Sequence, residues 1–337
     1  MKFVRTFSLA VLLALGVIAS MNYVVNPDGT YRTHMLPELV WNPRPQKLAL
    51  LQAATPAPEA LILGSSRIMN LAPGDIRAAT GLVTFNLGVD IAKTEDFYCL
   101  VRYAVEHLHL RPKLIVIAVD IEAFHNHEPP HYYLRQPDLL GTFLWSPANR
   151  FWRWSQFTKL LDHVESGLSL ESLYKIGTHQ TAHVERLDPD GLTHFLEWDE
   201  ASRAASLDRG ALTRDTIVRL ALRYDTYTAL SVDRLAYFRA TLEYAHDVGA
   251  RAIVFLTPTQ STVEQQLQLH GYDVRKREVL RALQNMCQES HTPLFDFSVV
   301  HTFGGDESHF IDGIHHDGSF NALMIGRMLT ARADAVQ

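Results

Sequence analysis

From residue 59 onward, short apolar runs alternate with longer stretches in which apolar positions recur at helical spacing. The short runs predict β-strands and the longer stretches predict α-helices. The predicted strands are Glu59–Gly64, Val83–Leu87, Lys113–Val119, Arg251–Leu256 and Pro293–Phe297. The predicted helices are Pro73–Thr80, Lys93–Leu110, Val232–His246, Val274–Glu289 and Ser319–Ala331. Strands that are apolar on both faces and alternate with helices indicate a parallel sheet covered by helices on both sides, which is a three-layer α/β fold.

This alternation breaks between residues 124 and 228, which are aromatic and histidine-rich at first and then mostly polar with a helical pattern. Such an interval between two core strands is too long for a loop, so we expect a largely helical insertion. Trp145, Trp152 and Trp154 near its start are candidates for stacking on sugar rings, for packing within the insertion, or for contact with a membrane surface. Residues 27–57 predict a proline-rich linker with one helix at Gln46–Ala54.

The amino-terminal 26 residues differ in composition from the rest of the chain. Lys2 and Arg5 precede an apolar run from Phe7 to Val25, and no acidic residue occurs before Asp28. A bilayer requires about 20 apolar residues, so the segment predicts an uncleaved signal anchor. A cleaved signal peptide is the alternative, because "VIAS" is a weak match to a cleavage site. In either case the positive-inside rule places the remainder of the chain outside the cytoplasm, in the periplasm.

The charge and the cysteine content of the chain exclude some classes of protein. The formal net charge is −6 and no lysine-rich or arginine-rich block occurs, which argues against a nucleic-acid partner. The two cysteines, Cys99 and Cys287, provide neither a disulfide framework nor a metal-ligand spacing. Both lie in apolar, helix-like surroundings, so we expect two buried thiols.

A group of histidines resembles a metal site. His125, His127 and His131 stand close to Glu122 and Glu128, and a His-x-His pair can present two imidazoles on one side of a strand. Two consecutive prolines and a loop-like composition favour a polar, solvated loop over metal binding.

Polar residues follow the predicted strands, at the point where each strand ends. In an open α/β sheet the ligand site lies beyond the carboxyl ends of the strands, so these residues are expected at one rim. They are Gly64 to Arg67, then Asn86, Gly88 and Asp90, then Asp120 and Glu122, then Thr257 to Gln260, and finally "HFIDGIHHDGSFN". Acyl transfer by serine requires a hydroxyl, an imidazole, a carboxylate that orients the imidazole, and N–H donors for the oxyanion. All four kinds of group occur at this rim.

The segments "LILGSSR" and "DGIH" resemble motifs of the SGNH (GDSL-type) hydrolase superfamily. In that family a Gly-x-Ser follows the first strand, and an Asp-x-x-His near the carboxyl end completes a catalytic triad. The resemblance implies that Ser66 is the nucleophile, that His315 is the base, and that Asp312 orients it. It also implies that Gly88 in "FNLGVD" is an oxyanion donor. The resemblance covers residues 59–119 and 251–329 but not the insertion.

More narrowly, the apolar amino terminus, "NYVVNPDGTY" and the GSSR block resemble membrane-anchored, SGNH-like proteins of the cell envelope. These include the D-alanine transfer protein of teichoic acid synthesis and the alginate acetylation proteins. Such proteins move an acyl group onto an extracytoplasmic glycopolymer, often beside a multipass membrane O-acyltransferase. The resemblance therefore implies a polysaccharide or other envelope acceptor, a partner of that kind, and no metal or organic cofactor.

The sequence departs from the superfamily pattern at two positions. Ser65 stands where the family has aspartate, and "AVDIEAF" stands where its third block has Gly-x-Asn-Asp. An oxyanion donor is therefore missing or supplied elsewhere, and Asn86 and the backbone N–H of Ser66 are the candidates. A carboxylate of Asp120 or Glu122 that pointed into the site would oppose oxyanion stabilisation.

Three other features have competing interpretations. Ser65 is an alternative nucleophile, and Asp306 with His309 repeats the Asp-x-x-His spacing. The register of the first motif and the helix start in "DGSFN" favour the residues named above, and His316 is interpreted as a neighbouring imidazole. Arg67 is a candidate either for binding a substrate phosphate or carboxylate, or for a salt bridge that supports the turn.

The sequence thus predicts an extracytoplasmic, membrane-anchored serine acyl-transfer enzyme. Ser66 would form an acyl-enzyme, and a sugar hydroxyl or water would take the acyl group. Two alternatives stay open. A carbohydrate O-acetyl esterase would turn over small acetyl esters without an acceptor, and a non-catalytic envelope protein would bind a polysaccharide or a membrane partner. The missing third-block asparagine favours the second alternative.

Overall fold

The structure is a computed structural model that describes residues 2–25, 43–128, 139, 185–196, 198 and 206–330. The chain divides into two compact units. The first comprises residues 1–46, 129–144 and 151–184, and the second comprises residues 47–128, 145–150 and 185–337. The predicted insertion at 124–228 is therefore shared between the units. The three tryptophans singled out near its start, and His131, lie outside the described residues.

In the first unit, helix α1 spans Lys2–Val25. Many of its apolar side chains are exposed, including those of Phe3, Leu9 and Leu12. None of the helices in the described part of the chain combines the length and the hydropathy that a bilayer crossing requires. The anchor predicted for residues 1–26 therefore has no support from the structure.

The second unit contains all of the strands in the described residues. They are β1 (Ala60–Leu63), β2 (Thr84–Asn86), β3 (Leu114–Val119), β4 (Arg186–Leu187), β5 (Thr193–His194), β6 (Arg251–Leu256) and β7 (Leu294–Asp296). The helices after α1 are α2 (Pro43–Ala53), α3 (Pro73–Thr80), α4 (Thr94–Arg102), α5 (Arg209–Thr226), α6 (Val232–Asp247), α7 (Ser261–Leu267), α8 (Tyr272–Glu289) and α9 (Ser319–Thr330).

Five strands form a parallel sheet in the order β2-β1-β3-β6-β7. The register pairs Ile62 of β1 with Val116 of β3, and Val116 with Ile253 of β6. The parallel α/β sheet predicted from the sequence is confirmed, and each of its strands lies within one residue of the predicted bounds. All the parallel strands end at the same edge of the sheet, which is where the predicted site residues follow them.

Helices cover both faces of this sheet. Alternate residues of the central strands, such as Ile62 and Val116, share one hydrophobic cluster with Ile76 of α3 and Met324 of α9. Every residue of β3 is buried, so the opposite face is covered as well. On that side α6 packs against β6 and against α4, where the rings of Tyr98 and Tyr237 lie 5.7 Å apart. Burial on both faces is the reason why these strands are apolar throughout.

The structure differs from the predicted elements in the long helix expected at Lys93–Leu110. Helix α4 ends at Arg102, and a π-helical turn, Tyr103–His107, continues it. The N–H of Leu108 donates to the carbonyl oxygen of Tyr103, five residues earlier, at 3.2 Å. One wider turn of this kind is invisible to a pattern of apolar positions, because it changes the helix by a single residue.

The described part of the predicted insertion contains two structured pieces. The antiparallel pair β4/β5 joins Arg186 to His194 and Leu187 to Thr193, and α5 is the one long helix among these residues. Elsewhere in the unit, Cys99 and Cys287 are buried and unbridged, as predicted.

Candidate active site

Ser66, His315 and Asp312 lie in one hydrogen-bonded chain. Nε2 of His315 is 2.8 Å from Oγ of Ser66, and Nδ1 of His315 is 2.8 Å from Oδ2 of Asp312. Ser66 follows β1, whereas Asp312 and His315 follow β7 and precede α9. Residues that are 249 positions apart in sequence therefore meet at the edge of the sheet. The order hydroxyl, imidazole, carboxylate is the one that a serine triad requires.

The turn after β1 separates the roles of its two serines. Oγ of Ser65 accepts the N–H of Arg67 at 3.2 Å and caps the short 3₁₀ turn at Ser66–Ile68. Ser65 is buried, while Ser66 is half-buried. The structure thus places the hydroxyl of Ser66, and not that of Ser65, on the imidazole.

Four hydrogen bonds hold the carboxylate of Asp312. Oδ1 accepts the backbone N–H groups of Ile314 and His315 at 3.1 and 2.8 Å. Oδ2 accepts from His315 Nδ1 at 2.8 Å and from the hydroxyl of Thr216 at 3.3 Å. Burial acts to raise the pKa of Asp312, but the charge of His315 and these hydrogen bonds outweigh it and lower the pKa well below its usual range.

Because the carboxylate of Asp312 is ionised, it accepts a proton-bearing Nδ1 from His315. The neutral imidazole then presents an unprotonated Nε2 to the hydroxyl of Ser66, as a general base requires. Gly313 makes this loop possible, since it has a φ of +88° and a side chain there would meet Val263 at 2.4 Å.

The second Asp-x-x-His pair is arranged differently. Asp306 accepts the N–H of Ser308 at 2.9 Å and caps a 3₁₀ turn. His309 pairs instead with Asp317, at 3.0 Å. Asp306 and His309 therefore do not bond to each other as Asp312 and His315 do, and Asp306 serves a local turn instead.

His316 lies beside His315 but does not join the chain. It is buried, and its Nδ1 accepts the N–H of Gly318 at 3.2 Å. Burial, followed by the charge of His315, lowers the pKa of His316 to about 4. This side chain is therefore neutral near pH 7.

Two of the predicted oxyanion donors, the side chain of Asn86 and the backbone N–H of Gly88, follow β2 and are hydrogen-bonded to each other. The N–H of Gly88 donates to Oδ1 of Asn86 at 2.8 Å. Nδ2 of Asn86 donates to the carbonyl oxygens of Ile68 and Leu71 at 2.8 and 2.9 Å. Asn86 is fully buried, and Nζ of Lys47 contacts its Oδ1 at 3.3 Å. The amide of Asn86, predicted as a replacement for the missing donor, is thus engaged in holding the two turns together.

Gly88 could serve an oxyanion only after its N–H leaves Asn86, so the predicted donor is engaged in this structure. The backbone N–H of Ser66, in contrast, has no acceptor among the residues that the structure describes. Of the three predicted donors, the Ser66 N–H is therefore the one that is not already bonded to another of the described residues.

Arg67 forms the salt bridge that the sequence left as one of two interpretations. Its Nη2 donates to Glu122 Oε2 at 3.0 Å, and its Nε lies 3.7 Å from Asp120 Oδ1. Nη1 donates to the hydroxyls of Thr257 and Thr259 at 3.4 and 3.2 Å. Burial opposes the charged form, but Glu122 and Asp120 outweigh it and raise the pKa of Arg67.

The predicted contact between Arg67 and a substrate anion is therefore not supported, because the guanidinium is buried and each of its nitrogens faces protein oxygens. The same ion pairs involve Asp120 and Glu122, whose carboxylates would oppose oxyanion stabilisation if they pointed into the site. Burial acts to raise the pKa of Glu122, and Arg67 together with a hydrogen bond from Tyr224 lowers it. Both carboxylates are thus paired with the guanidinium of Arg67, in the turn at Ser66–Ile68 that we call the nucleophile turn.

The described part of the histidine cluster is held by hydrogen bonds. Nδ1 of His125 accepts the N–H groups of His127 and Glu128 at 3.1 and 3.2 Å, and Nε2 lies 3.0 Å from the carbonyl oxygen of Arg223. Glu128 forms an ion pair with Arg223. Among the residues that the structure describes, no group of His, Cys, Asp or Glu is arranged to hold a metal ion.

A cavity of about 170 Å³ opens beside Ser66 and His315. Apolar side chains of Ile91, Leu220 and Ile314 form part of its wall. The polar residues of the wall, besides Ser66 and His315, are Ser65, Arg67, Lys93, Asp120, Glu122, Thr216, Arg219 and Arg223. The cavity is large enough for a small acyl group next to the hydroxyl of Ser66.

Two aromatic residues that the sequence analysis did not single out lie against the imidazole of His315. The ring centroids of Trp198 and Phe195 are 5.1 and 6.0 Å from that of His315, and 4.8 Å from each other. The sequence signal for this pair is weak: in the segment "THFLEW", two aromatic residues lie three positions apart in a polar stretch.

The solved structures to which this chain is similar include a lipase and an acylhydrolase, both from Bacteroides. A GDSL-like lipase from Bacteroides thetaiotaomicron has 10% sequence identity and a TM-score of 0.40, and the match covers 87% of this chain and 97% of that one. An acylhydrolase described as putative, from Bacteroides fragilis, has 10% identity and a TM-score of 0.36, with 88% and 96% covered. The sequence matches no family model and no curated protein. Likeness at this level does not establish a function for this chain.

Proposed function

We propose that this protein is a serine acyl-transfer enzyme of the SGNH type, with Ser66 as nucleophile, His315 as general base and Asp312 as its orienting carboxylate. The observation that carries the proposal is the unbroken chain of two 2.8 Å contacts from Ser66 through His315 to Asp312. A buried, ionised carboxylate on Nδ1 and a half-buried hydroxyl on Nε2 are what nucleophilic activation of serine requires.

In the proposed reaction, Nε2 of His315 takes the proton of Ser66 while Oγ forms a bond to the carbonyl carbon of the acyl donor. The resulting oxyanion receives a hydrogen bond from the backbone N–H of Ser66. When the intermediate collapses, the bond to the donor alcohol breaks and that oxygen takes the proton from His315. The acceptor alcohol, or water, then repeats these steps in reverse on the acyl-Ser66 ester.

We further propose that transfer takes place outside the cytoplasm, onto a polysaccharide or other envelope acceptor. Support comes from the sequence: Lys2 and Arg5 before the apolar run, and the GSSR block that resembles cell-envelope members of the superfamily. Anchoring through the amino terminus and a multipass O-acyltransferase as partner belong to the same proposal.

The engaged N–H of Gly88 favours a second candidate, a non-catalytic protein that keeps the site and binds a polysaccharide. A site with one oxyanion donor instead of two loses about 10²–10³ in rate. The three residues of the hydrogen-bonded chain argue against this candidate, because a binding protein needs no activated hydroxyl.

Active-site labelling tests the proposal. The full chain is treated with a fluorophosphonate and the adduct is mapped by mass spectrometry, with Ser66→Ala, Ser65→Ala and His315→Ala in parallel. We expect an adduct on Ser66 that is lost in the Ser66 and His315 variants and kept in the Ser65 variant. Hydrolysis of a small acetyl ester that no added sugar acceptor diverts to transfer would favour the esterase. A folded wild-type chain without any adduct would establish the binding protein instead.

A further inference from the structure

The aromatic pair of Phe195 and Trp198 belongs to a segment that is fixed to the nucleophile turn. This segment, residues 185–196 with Trp198, comprises β4, β5, the connection between them and the two aromatic residues, and we call it the aromatic hairpin. The N–H of Asn86 donates to Asp190 at 2.8 Å, and the N–H of Thr193 donates to Met69 at 2.9 Å. The hairpin thus binds both the end of β2 and the residues that follow Ser66.

A close approach of main chains shows how tightly the hairpin docks. Gly191 has a φ of +81°, and a side chain at this position would meet the carbonyl oxygen of Asn86 at 2.3 Å. Only glycine fits this backbone conformation and this distance. The connection between β4 and β5 is therefore shaped to lie on the strand end next to the active site.

Internal contacts hold the hairpin in one shape. His194 pairs with Asp188 at 2.8 Å, and the N–H of Leu196 donates to Glu185 Oε2 at 3.0 Å. The second contact joins the end of the hairpin to its beginning, next to Phe195. The two aromatic rings are consequently held in fixed positions relative to Ser66 and His315, which is what preorganised binding groups require.

The chemistry of the proposed reaction decides which part of a substrate meets these rings. The oxygen of the accepting alcohol must come within hydrogen-bond distance of Nε2 of His315, because that nitrogen takes its proton. The carbon skeleton that bears this oxygen therefore lies alongside His315, where Trp198 and Phe195 contact the imidazole. Neither residue lines the 170 Å³ cavity at Ser66, so the acyl group and the alcohol have separate places.

Two half-buried aromatic rings suit a rigid ligand that has one apolar face. Pyranose rings have such a face, formed by C–H groups that carry partial positive charge, and the face of an indole or phenyl ring carries partial negative charge. Aromatic side chains also provide contact area at a small cost in conformational entropy. Water, the competing acceptor, gains nothing from this surface.

We infer that Phe195 and Trp198 form the acceptor subsite, a stacking surface for the pyranose ring whose hydroxyl takes the acyl group from Ser66. This inference rests on the proposed function and extends it by naming the acceptor class and the residues that select it. The subsite favours transfer over hydrolysis, since a bound sugar ring holds its hydroxyl at His315 in place of water.

The test measures partition of one acyl-enzyme between sugar and water. The full chain is supplied with p-nitrophenyl acetate and, as acceptors, tetrasaccharides of glucose, mannose, galactose and mannuronate, with acetylated products quantified by mass spectrometry. For the best acceptor, Trp198→Ala should raise the acceptor KM and lower the ratio of transfer to hydrolysis by about five- to tenfold. Trp198→Phe should recover most of this ratio, and Phe195→Leu should lower it to a smaller extent.

The matched control is Tyr244→Ala, which removes a partly exposed ring on α6, away from the site, and should leave the ratio unchanged. Thermal unfolding of each variant verifies that it folds. The inference is overturned if no tetrasaccharide accepts the acyl group although the fluorophosphonate labels Ser66. It is also overturned if Trp198→Ala lowers transfer and hydrolysis in equal proportion, which would make the rings a support for His315. Failure of labelling on Ser66 itself would instead overturn the proposed function.

Discussion

Asn86 Oδ1 accepts the backbone N–H of Gly88 at 2.8 Å, and the same amide donates to three carbonyl oxygens beyond Ser66, those of Ile68, Met69 and Leu71. One buried side chain therefore connects the turn after β2 to the turn that carries the proposed nucleophile. Removal of this side chain would be costly at a buried position. Each polar atom that it leaves behind would lose its hydrogen bond and would not gain one to water.

The first prediction concerns this connection. Asn86→Ala should lower the free energy of unfolding by about 3 kcal/mol, since it breaks several buried hydrogen bonds at about 1 kcal/mol each. Urea denaturation of the full chain measures the difference. Asn126→Ala is the control, because Asn126 bonds to Thr228 at the surface and its loss should cost much less. Equal effects of the two substitutions would contradict a structural role of Asn86.

The second prediction concerns the tautomer of His315. Asp312→Asn should lower kcat by roughly 10³- to 10⁴-fold, because an amide can donate to Nδ1 and so place the proton on Nε2, where it faces Ser66. Turnover of p-nitrophenyl acetate measures this loss. Asp306→Asn has the same change at the second Asp-x-x-His and should keep nearly full activity, since Asp306 caps a turn. A similar loss in both variants would exclude the triad assignment.

The third prediction concerns the ion pair under the nucleophile turn. Arg67→Met should destabilise the protein by about 3–5 kcal/mol, because it leaves Glu122 as a buried and unpaired charge. Arg67→Met combined with Glu122→Gln should be more stable than Arg67→Met alone, since the amide carries no charge. Chemical denaturation of the single and double variants gives the coupling energy. Additive effects of the two substitutions would show that the 3.0 Å contact contributes no coupling.

The fourth prediction concerns acid sensitivity. The pKa of His316 is about 4 in the folded chain against an ordinary value of 6.5, so the unfolded chain binds more protons between these values. Stability should therefore fall as the pH decreases from about 6.5 to about 4, by up to about 3 kcal/mol from this residue. His315, His309 and Asp317 are the charged neighbours that modify this value.

His316→Leu should remove this part of the pH dependence, and thermal unfolding between pH 4 and pH 7 measures it. His301→Gln, at an exposed position, is the control and should retain the wild-type slope. The expectation fails if the Leu variant loses stability on acidification as steeply as the wild type does.

The sheet could be predicted because local sequence determines its strands. The runs "KLIVIAV" and "RAIVFL" are apolar at every position or nearly so, which suits strands buried on both faces. Parallel strands end at one edge, so the residues after them converge whatever the details of packing. This reasoning placed the residues after β1 and the segment that contains His315 at one edge, and the resemblance to the SGNH superfamily then implied Ser66 and His315 as partners.

The partners of the polar groups at that edge could not be predicted in the same way. Whether Asn86 faces the site or holds Gly88 depends on distances between turns, which no spacing in the sequence encodes. Arg67 had two interpretations until the positions of Glu122 and Asp120 relative to it were known. Trp198 reaches His315 only because the hairpin docks on β2, and docking of this kind is a long-range contact without a local signature.

The separation of Ser66 from His315 by 249 residues affects the chain before it is complete. During synthesis, Ser66 emerges long before His315, its proposed base, and during any passage across a membrane as an extended chain the two stay apart. A fragment that ends before Asp312 keeps Ser66 as an ordinary alcohol. Under the proposed function, Ser66 becomes reactive only when the segment with Asp312 and His315 has folded against the end of β1.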